Sequence, residues 1–274
     1  CACPLLLHPA WAAAPTHSSR ADSSRADSSR ADSSPAQSSH SGCSLARSSP
    51  PRPADATLWL WHGAHNLRGL DAARPGTAVA YLAKEITVSM RGVVERRRRD
   101  PILLDDATER TAVVHIELAG DMHARAWPGV RDGLLTRIRD AYEERATGLQ
   151  IDFDAPASYR QAYVELLQEV RASMPAGWRL SMTALGSWCL ADRWLDDAPV
   201  DEVVPMLFGA GHAREQTLAA IERYGQLPEA RCRESHGLAE GQPAPRLGPQ
   251  PYVFGQGPWS LERAMNALDD AVPR

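Results

Sequence analysis

The chain has 274 residues, with 30 basic and 34 acidic side chains, and its formal net charge is −4 at pH 7. This near-balance excludes a generally basic nucleic-acid binder, and 43% hydrophobic with 23% charged residues is ordinary for a globular domain. No uninterrupted apolar run approaches the roughly 20 residues that a transmembrane helix needs. Tryptophan, which suits stacking on sugar rings or cations, occurs eight times, against three phenylalanines.

Residues 1–56 differ in composition from the rest of the chain. The pentad Ser-Ser-Arg-Ala-Asp occurs three times in residues 18–32. A five-residue period fits neither a helix nor a strand and supplies no apolar face, so this segment is predicted to be a disordered tail.

Ahead of the repeats, residues 4–14 resemble the end of a secretory signal, with a short apolar stretch and then small residues. We therefore expect a secreted, periplasmic or envelope-associated protein, or a cytoplasmic one if this leader is not native. The residues around Cys43 resemble a lipoprotein cleavage box only weakly, because His40 stands where an aliphatic residue is expected.

From Thr57 onward, short apolar or β-branched runs alternate with amphipathic helical patterns. The pattern predicts eight strands: Leu58–Trp61, Ala78–Leu82, Ala112–Leu118, Leu149–Phe153, Arg179–Ala184, Val203–Phe208, Cys232–Leu238 and Pro251–Phe254. Helical stripes run through residues 130–142, 159–170, 218–224 and 261–268.

This alternation predicts a (β/α)₈ TIM-type barrel over residues 57–274. Little helix is visible in residues 62–111, so the first units are expected to be irregular, with loops or hairpins. An open doubly wound sheet is the alternative, although no glycine-rich phosphate-binding turn follows the first strand.

Three further patterns admit simple interpretations. The run Arg96–Arg99 is flanked by Glu95 and Asp100, which favours a solvated loop or strand edge over a nucleic-acid patch. The five cysteines include no C-x-x-C pair; Cys189 and Cys232 could pair in an oxidising compartment, but isolated buried thiols are favoured. His62 and His65 do not form a zinc motif, and neither a metal nor a cofactor is predicted.

The segment Gly148–Pro156 carries the chemistry that stands out most. Strand alternation places Gln150, Asp152 and Asp154 on one face, directed into the barrel and toward its C-terminal mouth. Two carboxyls two residues apart repel each other, which makes one of them a proton donor near neutral pH. The alternative is that Asp154 only caps the helix that starts near Ala157.

The segment resembles the fourth-strand motif of chitinase-type, family 18 glycoside hydrolases, D-G-x-D-x-D-x-E. Gly148 matches the glycine, Asp152 the last aspartate, and Asp154 the position of the acid glutamate. Residues 200–209 resemble the sixth strand of that superfamily, and Gly257-Pro258-Trp259 resembles its eighth-strand tryptophan.

Over most of residues 57–270 the chain is also similar to a bacterial domain-of-unknown-function family, numbered 3142, a distant relative of those barrels. The matching stretches are Leu58–His62, Gly76–Val88, Gln150–Pro156, Trp178–Trp188 and Val200–Phe208.

The departures from the family-18 pattern affect the expected chemistry. Thr147 and Gln150 replace the first two motif aspartates, and Phe208-Gly209 replaces the Tyr-Asp pair that orients the substrate's acetamido group. Chitinase activity is therefore not expected. An ordinary two-carboxylate mechanism needs a second group, for which Glu117 is the best candidate, because it shares a face with His115 beside the fourth strand.

The resemblance implies a hydrolase of O-glycosyl bonds acting on a carbohydrate, with Asp154 as general acid, Asp152 bracing it and Glu117 as the second carboxylate. Candidate substrate-binding residues are Trp61, His62, His115, Gln150, Thr183, Trp188 and Trp259; Lys84 and Gln256 are further polar residues at predicted strand ends. Two alternatives stay open: a non-catalytic glycan-binding or cell-envelope scaffold barrel, and a barrel whose ligand is not a sugar. The sequence assigns no oligomeric state.

Overall fold

The computed structural model describes residues 54–142, 145–191, 193–209, 212–242, 245 and 247–272. The region predicted to be a signal-like remnant and disordered tail, residues 1–56, lies outside the described residues except for its last three positions. Among the helices of the described ranges, none is long and apolar enough to cross a membrane.

The body of the protein is a closed barrel of eight parallel strands. The strands are β1 Ala56–Leu60, β2 His65–Asn66, β3 Thr77–Ser89, β4 Gly92–Arg97, β5 Ile102–Leu103, β6 Arg110–Leu118, β7 Gly148–Phe153, β8 Arg179–Leu185, β9 Glu202–Met206, β10 Ser235–Ala239 and β11 Gln250–Phe254. Around the barrel the order is β1-β11-β10-β9-β8-β7-β6-β3, and pairing of β3 with β1 closes it. All eight predicted barrel strands are present, which confirms the (β/α)₈ prediction.

Helices cover the later barrel units and are short or missing in the first ones. They are α1 Leu70–Ala73, α2 Trp127–Arg139, α3 Arg160–Ser173, α4 Trp188–Ala191, α5 His212–Tyr224 and α6 Leu261–Ala271. The stretch from β3 to β6 contains only the antiparallel strand β4 and the short β5, which pairs with β2. The predicted irregularity of the first units is confirmed. The arginine run ends β4, at the edge of the sheet.

Alternation along the strands separates two cores. The outer core lies between the barrel and the helices, where the buried stripe of α2 (Val130, Leu134 and Ile138) packs with outward strand residues such as Leu149 and Ile151. The inner core fills the barrel with Trp59, Ala80, Val113, Val204 and Tyr252. The inner core leaves the mouth of the barrel to polar and aromatic side chains.

A bulge in β3 determines which charged side chain faces that mouth. The register of β3 against β6 shifts between Leu82 and Lys84, and such an insertion changes the face to which the following side chains point. Lys84 is consequently buried on the outer side, where its Nζ donates to Glu95 (2.9 Å) and to the Arg137 carbonyl (2.6 Å). Lys84 is therefore not a residue of the mouth, and Glu85 is directed there instead.

Cys189 in α4 and Cys232 form a disulfide, so the preferred prediction of isolated buried thiols was wrong. The two cysteines are 43 residues apart in sequence, with Cα atoms 6.0 Å apart. Sequence spacing could not reveal this, because it is the pairing of β9 with both β8 and β10 that brings the segment after β8 close to the segment before β10.

Candidate active site

The C-terminal mouth of the barrel carries a layer of polar side chains at equal height on neighbouring strands. In the strand register, Glu85 of β3 lies opposite His115 of β6, and His115 lies opposite Asp152 of β7. Thr183 of β8 completes the layer through a hydrogen bond to Asp152. The ends of four adjacent strands therefore meet at one place, as the C-terminal ends of parallel barrel strands do in enzymes of this fold.

Asp152 is held from both sides and is almost completely buried. His115 Nδ1 donates to Asp152 Oδ2 at 2.8 Å, and Thr183 Oγ1 donates to Asp152 Oδ1 at 2.5 Å. Since both carboxylate oxygens accept a hydrogen bond, the side chain has a fixed orientation. Asp152 is therefore held in place between His115 and Thr183.

His115 bridges two carboxylates. Its Nε2 lies 3.3 Å from Glu117 Oε1, in addition to the contact of Nδ1 with Asp152. Burial alone would lower the pKa of the imidazole, but the hydrogen bond to Asp152 and its charge, with smaller contributions from Glu117, raise this pKa to about 9. Both ring nitrogens can donate only in the imidazolium form, so His115 is a cation at neutral pH.

Asp154 lies just beyond β7 and is exposed at the rim of the mouth. Restricted hydration in the mouth, followed by the negative charge of Asp152, raises its pKa to about 6, while the positive His115 acts in the opposite direction. Among the described residues its carboxyl has no hydrogen-bond or ion-pair partner. The helical turn at Ala157 receives no side-chain cap, which argues against the alternative that Asp154 only caps a helix.

A second polar group of the mouth lies across from Asp154. His62 Nε2 is 3.0 Å from Glu85 Oε1 and 3.0 Å from Arg96 Nη2. The half-exposed ring of Trp61 makes edge contacts with both His62 and His115, at centroid distances of 5.4 and 5.3 Å. Trp61 therefore joins the two polar groups.

An aromatic surface that the sequence analysis missed continues from Trp61 across the mouth. Trp59 stacks on Trp61 at 4.9 Å and on Phe254 at 4.8 Å, and Phe254 meets Phe208 at 4.7 Å. Trp61, Phe254 and Phe208 are partly exposed, whereas Trp59 is buried. Strand alternation was the available signal, because it places Trp59 and Trp61 on one face.

Two of the predicted sugar-binding tryptophans are buried. Trp188 is 3% exposed and packs edge-on against Trp194 at 5.0 Å. Trp259 is 2% exposed, and its Nε1 donates to the backbone carbonyl of Trp59. Neither ring can stack on a ligand in this arrangement. Each residue follows its strand in a segment where strand alternation no longer applies.

Two predicted polar contacts are buried. Gln150 lies one layer below Asp152, where it accepts a hydrogen bond from Trp59 Nε1 (2.8 Å) and donates one to Ser181 Oγ (3.2 Å). Thr183 lies in the same layer as Asp152 and is equally buried against it. Gln150 therefore supports the site from below and Thr183 supports Asp152 from the side, and neither side chain faces a ligand.

Other groups that would change the chemistry are engaged elsewhere. Arg179 lies 3.7 Å from Glu202 at the opposite end of the barrel and does not bridge the two aspartates. Buried His65 accepts a hydrogen bond from Trp259 N at Nδ1 and contacts the Trp61 carbonyl through Nε2, and burial is the main cause that lowers its pKa to about 4. No group of three or more His, Cys, Asp or Glu within the described ranges could hold a metal ion.

Comparison with protein-family models and with curated proteins gave no match. Among solved structures, the spore cortex-lytic enzyme SleL of Bacillus cereus is similar to this chain, with a TM-score of 0.46 and 17% sequence identity. The similarity covers 68% of this chain and 50% of the SleL chain, so this chain spans about half the length of SleL.

Proposed function

We propose that this protein is a hydrolase of O-glycosyl bonds in which Asp154 is the general acid. The observation that carries the proposal is the unpartnered Asp154 carboxyl at the barrel mouth, with a pKa raised to about 6 next to the fixed Asp152. A carboxyl with such a pKa is partly protonated near neutral pH and can give its proton to a leaving group. The resemblance of residues 148–154 to the family-18 motif supports the same role.

The remaining groups complete a two-carboxylate mechanism. Protonated Asp154 gives its proton to the glycosidic oxygen as the bond from that oxygen to the anomeric carbon breaks. Water then adds to the anomeric carbon and gives a proton to Glu117, whose carboxylate is 65% exposed. The imidazolium of His115 orients Glu117, and Asp152 stabilises the positive charge that develops on the sugar.

The aromatic surface of the mouth supports a carbohydrate ligand. Trp61, Phe254 and Phe208 offer partly exposed ring faces, which suit the C–H face of a sugar. Because Phe208 packs on Phe254 where family-18 enzymes have a polar pair, we propose a sugar for which an acetamido group is not required.

One observation favours the alternative of a glycan-binding or cell-envelope scaffold barrel without turnover. The Asp152 carboxylate is neutralised by His115, as in a structural ion pair. This alternative predicts glycan binding that depends on Trp61 and no release of reducing ends.

We also propose that the protein works in an oxidising compartment, outside the cytoplasm. The disulfide between Cys189 and Cys232 supports this location, because structural disulfides persist mainly in secreted and envelope proteins. The signal-like segment at residues 4–14 points the same way.

The test is reducing-end release from a panel of bacterial and plant polysaccharides. We expect release by the parent protein and a loss of about 10²–10⁴-fold in Asp154→Asn, the range typical for a general acid. Asp106→Asn is the matched control, because Asp106 is an exposed aspartate that pairs with Arg145, and this variant should leave release unchanged. Release that persists in Asp154→Asn would assign the acid elsewhere, and binding without release would favour the scaffold alternative.

A further inference from the structure

An apolar groove with a volume of about 750 Å³ lies beside the candidate acid, between the loop after β6 and the turn after β7. Leu118 directly follows Glu117, and Pro156 is two residues beyond Asp154, so the groove is formed by the segments that leave β6 and β7 just after the two carboxyls. Its apolar wall consists of Leu118, Met122, Ala124, Pro156 and Tyr159.

Two buried hydrogen-bond donors in this region have no partner within the described part of the chain. They are the Tyr159 hydroxyl and the indole Nε1 of Trp127. Tyr159 is 3% exposed, lines the groove and meets the Trp127 ring edge-on at 5.7 Å. Buried donors are normally paired, because an unpaired donor retains its full desolvation cost. An acceptor bound in the groove, which Tyr159 lines, would supply a partner for the Tyr159 hydroxyl.

The lining indicates the chemistry of the occupant. The wall is mostly apolar and removes apolar surface of an occupant from water. His123, Arg125 and Ser158 also line the groove and are potential hydrogen-bond donors, so the lining suits an apolar group that carries an acceptor. The aromatic surface of the mouth remains available for the sugar ring. The groove is formed by the segments that follow Glu117 and Asp154. It therefore suits a substituent on one side of the glycosidic bond that is cleaved.

We propose that this groove binds an apolar aryl or acyl substituent, carrying a hydrogen-bond acceptor, on the leaving-group side of the substrate. That the substituent belongs to the leaving group rests on the proposed function. The affinity of the groove for an apolar group with an acceptor does not depend on the proposed function. The substrate class is then a glycoside whose leaving group carries an apolar substituent, not an unsubstituted polysaccharide.

The first test uses 4-nitrophenol, an aryl group with acceptor oxygens, and follows backbone amide shifts during a titration. We expect shifts confined to residues 118–125 and 156–159, and binding weakened about fivefold or more in Met122→Ser, which removes part of the apolar wall. Met90→Ser is the matched control, because Met90 is 54% exposed on the β3–β4 hairpin. Shifts elsewhere, no binding, or equal loss in both variants would overturn the proposal.

The second variant, Tyr159→Phe, removes the hydroxyl and keeps the ring. Because this hydroxyl has no partner in the free protein, the variant should fold and be at least as stable as the parent. It should nevertheless bind 4-nitrophenol more weakly while its affinity for toluene, which has no acceptor, stays the same. Equal affinities of parent and variant for 4-nitrophenol would contradict the role of the hydroxyl.

Glycoside pairs separate this proposal from the proposed function. 4-Nitrophenol is a more acidic leaving group than phenol, so its glycoside is cleaved faster with or without the groove, and the informative quantity is the change of the ratio on substitution. For one sugar, we expect the ratio of kcat/KM for the 4-nitrophenyl over the phenyl glycoside to be smaller in Met122→Ser and Tyr159→Phe than in Met90→Ser. Hydrolysis with ratios that neither variant changes would overturn the groove and leave the hydrolase. Absence of all hydrolysis, with 4-nitrophenol still bound in the groove, would overturn the hydrolase and leave the groove.

Discussion

At the scale of single residues, His115 determines the electrostatics of the mouth. It lies 2.8 Å from Asp152 and 3.3 Å from Glu117, and these two carboxylates outweigh the desolvation that would otherwise keep the ring neutral. The result is one positive charge between two negative ones. Asp154, one position further along the same face, therefore keeps a carboxyl that is free to exchange its proton.

This arrangement predicts a pH dependence of stability. The folded-state pKa of His115, about 9, lies above the ordinary 6.5, so its stabilising contribution is complete below pH 6.5 and is lost as the pH rises through 9. The difference corresponds to at most about 3 kcal/mol. In urea denaturation, the free energy of unfolding of the parent should fall between pH 6.5 and 9, and His115→Gln should lack this fall. The exposed His212 provides the control variant His212→Gln, which should retain it; the same fall in His115→Gln would contradict the prediction.

At the same scale, the sequence predicted the site residues of β6 and β7. Alternation correctly placed His115 and Glu117 on one face beside Asp152, because a strand leaves a side chain only two directions. It did not place Trp188 or Trp259, which follow their strands in segments without that constraint. It also could not show that Gln150 lies one layer too deep to meet a ligand.

At the scale of elements, the β3–β4 hairpin is the distinctive departure from a regular barrel. β4 continues the sheet antiparallel to β3, and its Arg96 reaches the mouth while Glu95, one residue before, turns outward. Buried Lys84 connects three elements, since its ammonium group binds Glu95 of β4 and the carbonyl of Arg137 in α2. The hairpin therefore depends on one charged side chain.

Lys84→Met should destabilise the protein by about 1–3 kcal/mol, because it leaves the Arg137 carbonyl without its donor and removes one of the two cations from Glu95. Arg97→Met removes another cation from the same carboxylate, but Arg97 is 54% exposed, so its loss should cost less than about 1 kcal/mol. Hydrogen exchange of β4 amides should accelerate in the first variant only. Equal stability of the two variants would show that the buried contact does not hold the hairpin.

The elements themselves were largely predictable, and the exceptions have a common cause. Strands buried on both faces produce continuous apolar runs, and helices produce stripes of period 3.6, so both are visible in the sequence. The hairpin was anticipated only as a region poor in helix. The β-bulge at Leu82–Lys84 was not anticipated, because it depends on the register against β6 and leaves no local pattern.

At the scale of the whole molecule, the disulfide joins parts of the barrel that are distant in sequence. Cys189 and Cys232 lie 43 residues apart, and closing a loop of this length in the unfolded chain corresponds to about 4 kcal/mol in the chain-entropy model. The double variant Cys189→Ala/Cys232→Ala should lose about 2–4 kcal/mol of unfolding free energy. A reducing agent should destabilise the parent and leave the double variant unchanged; equal destabilisation of both would contradict this assignment.

The barrel as a whole brings together at one end groups that are far apart in sequence: a bracing aspartate, a histidine cation, an exposed second carboxylate and an aromatic surface. Their proposed roles all depend on one property: Asp154 holds a proton near neutral pH. A carboxyl with an ordinary pKa of about 4 would be ionised there and could not act as the acid.

The most direct measurement is therefore a carbon-13 NMR titration of the Asp154 carboxyl. The parent should titrate with a pKa of about 6. The value should fall in Asp152→Asn, which removes a negative neighbour, and rise in His115→Gln, which removes a positive one. A carboxyl that titrates near pH 4 in the parent, or does not respond to either substitution, would contradict the central claim that Asp154 is the proton donor of this barrel.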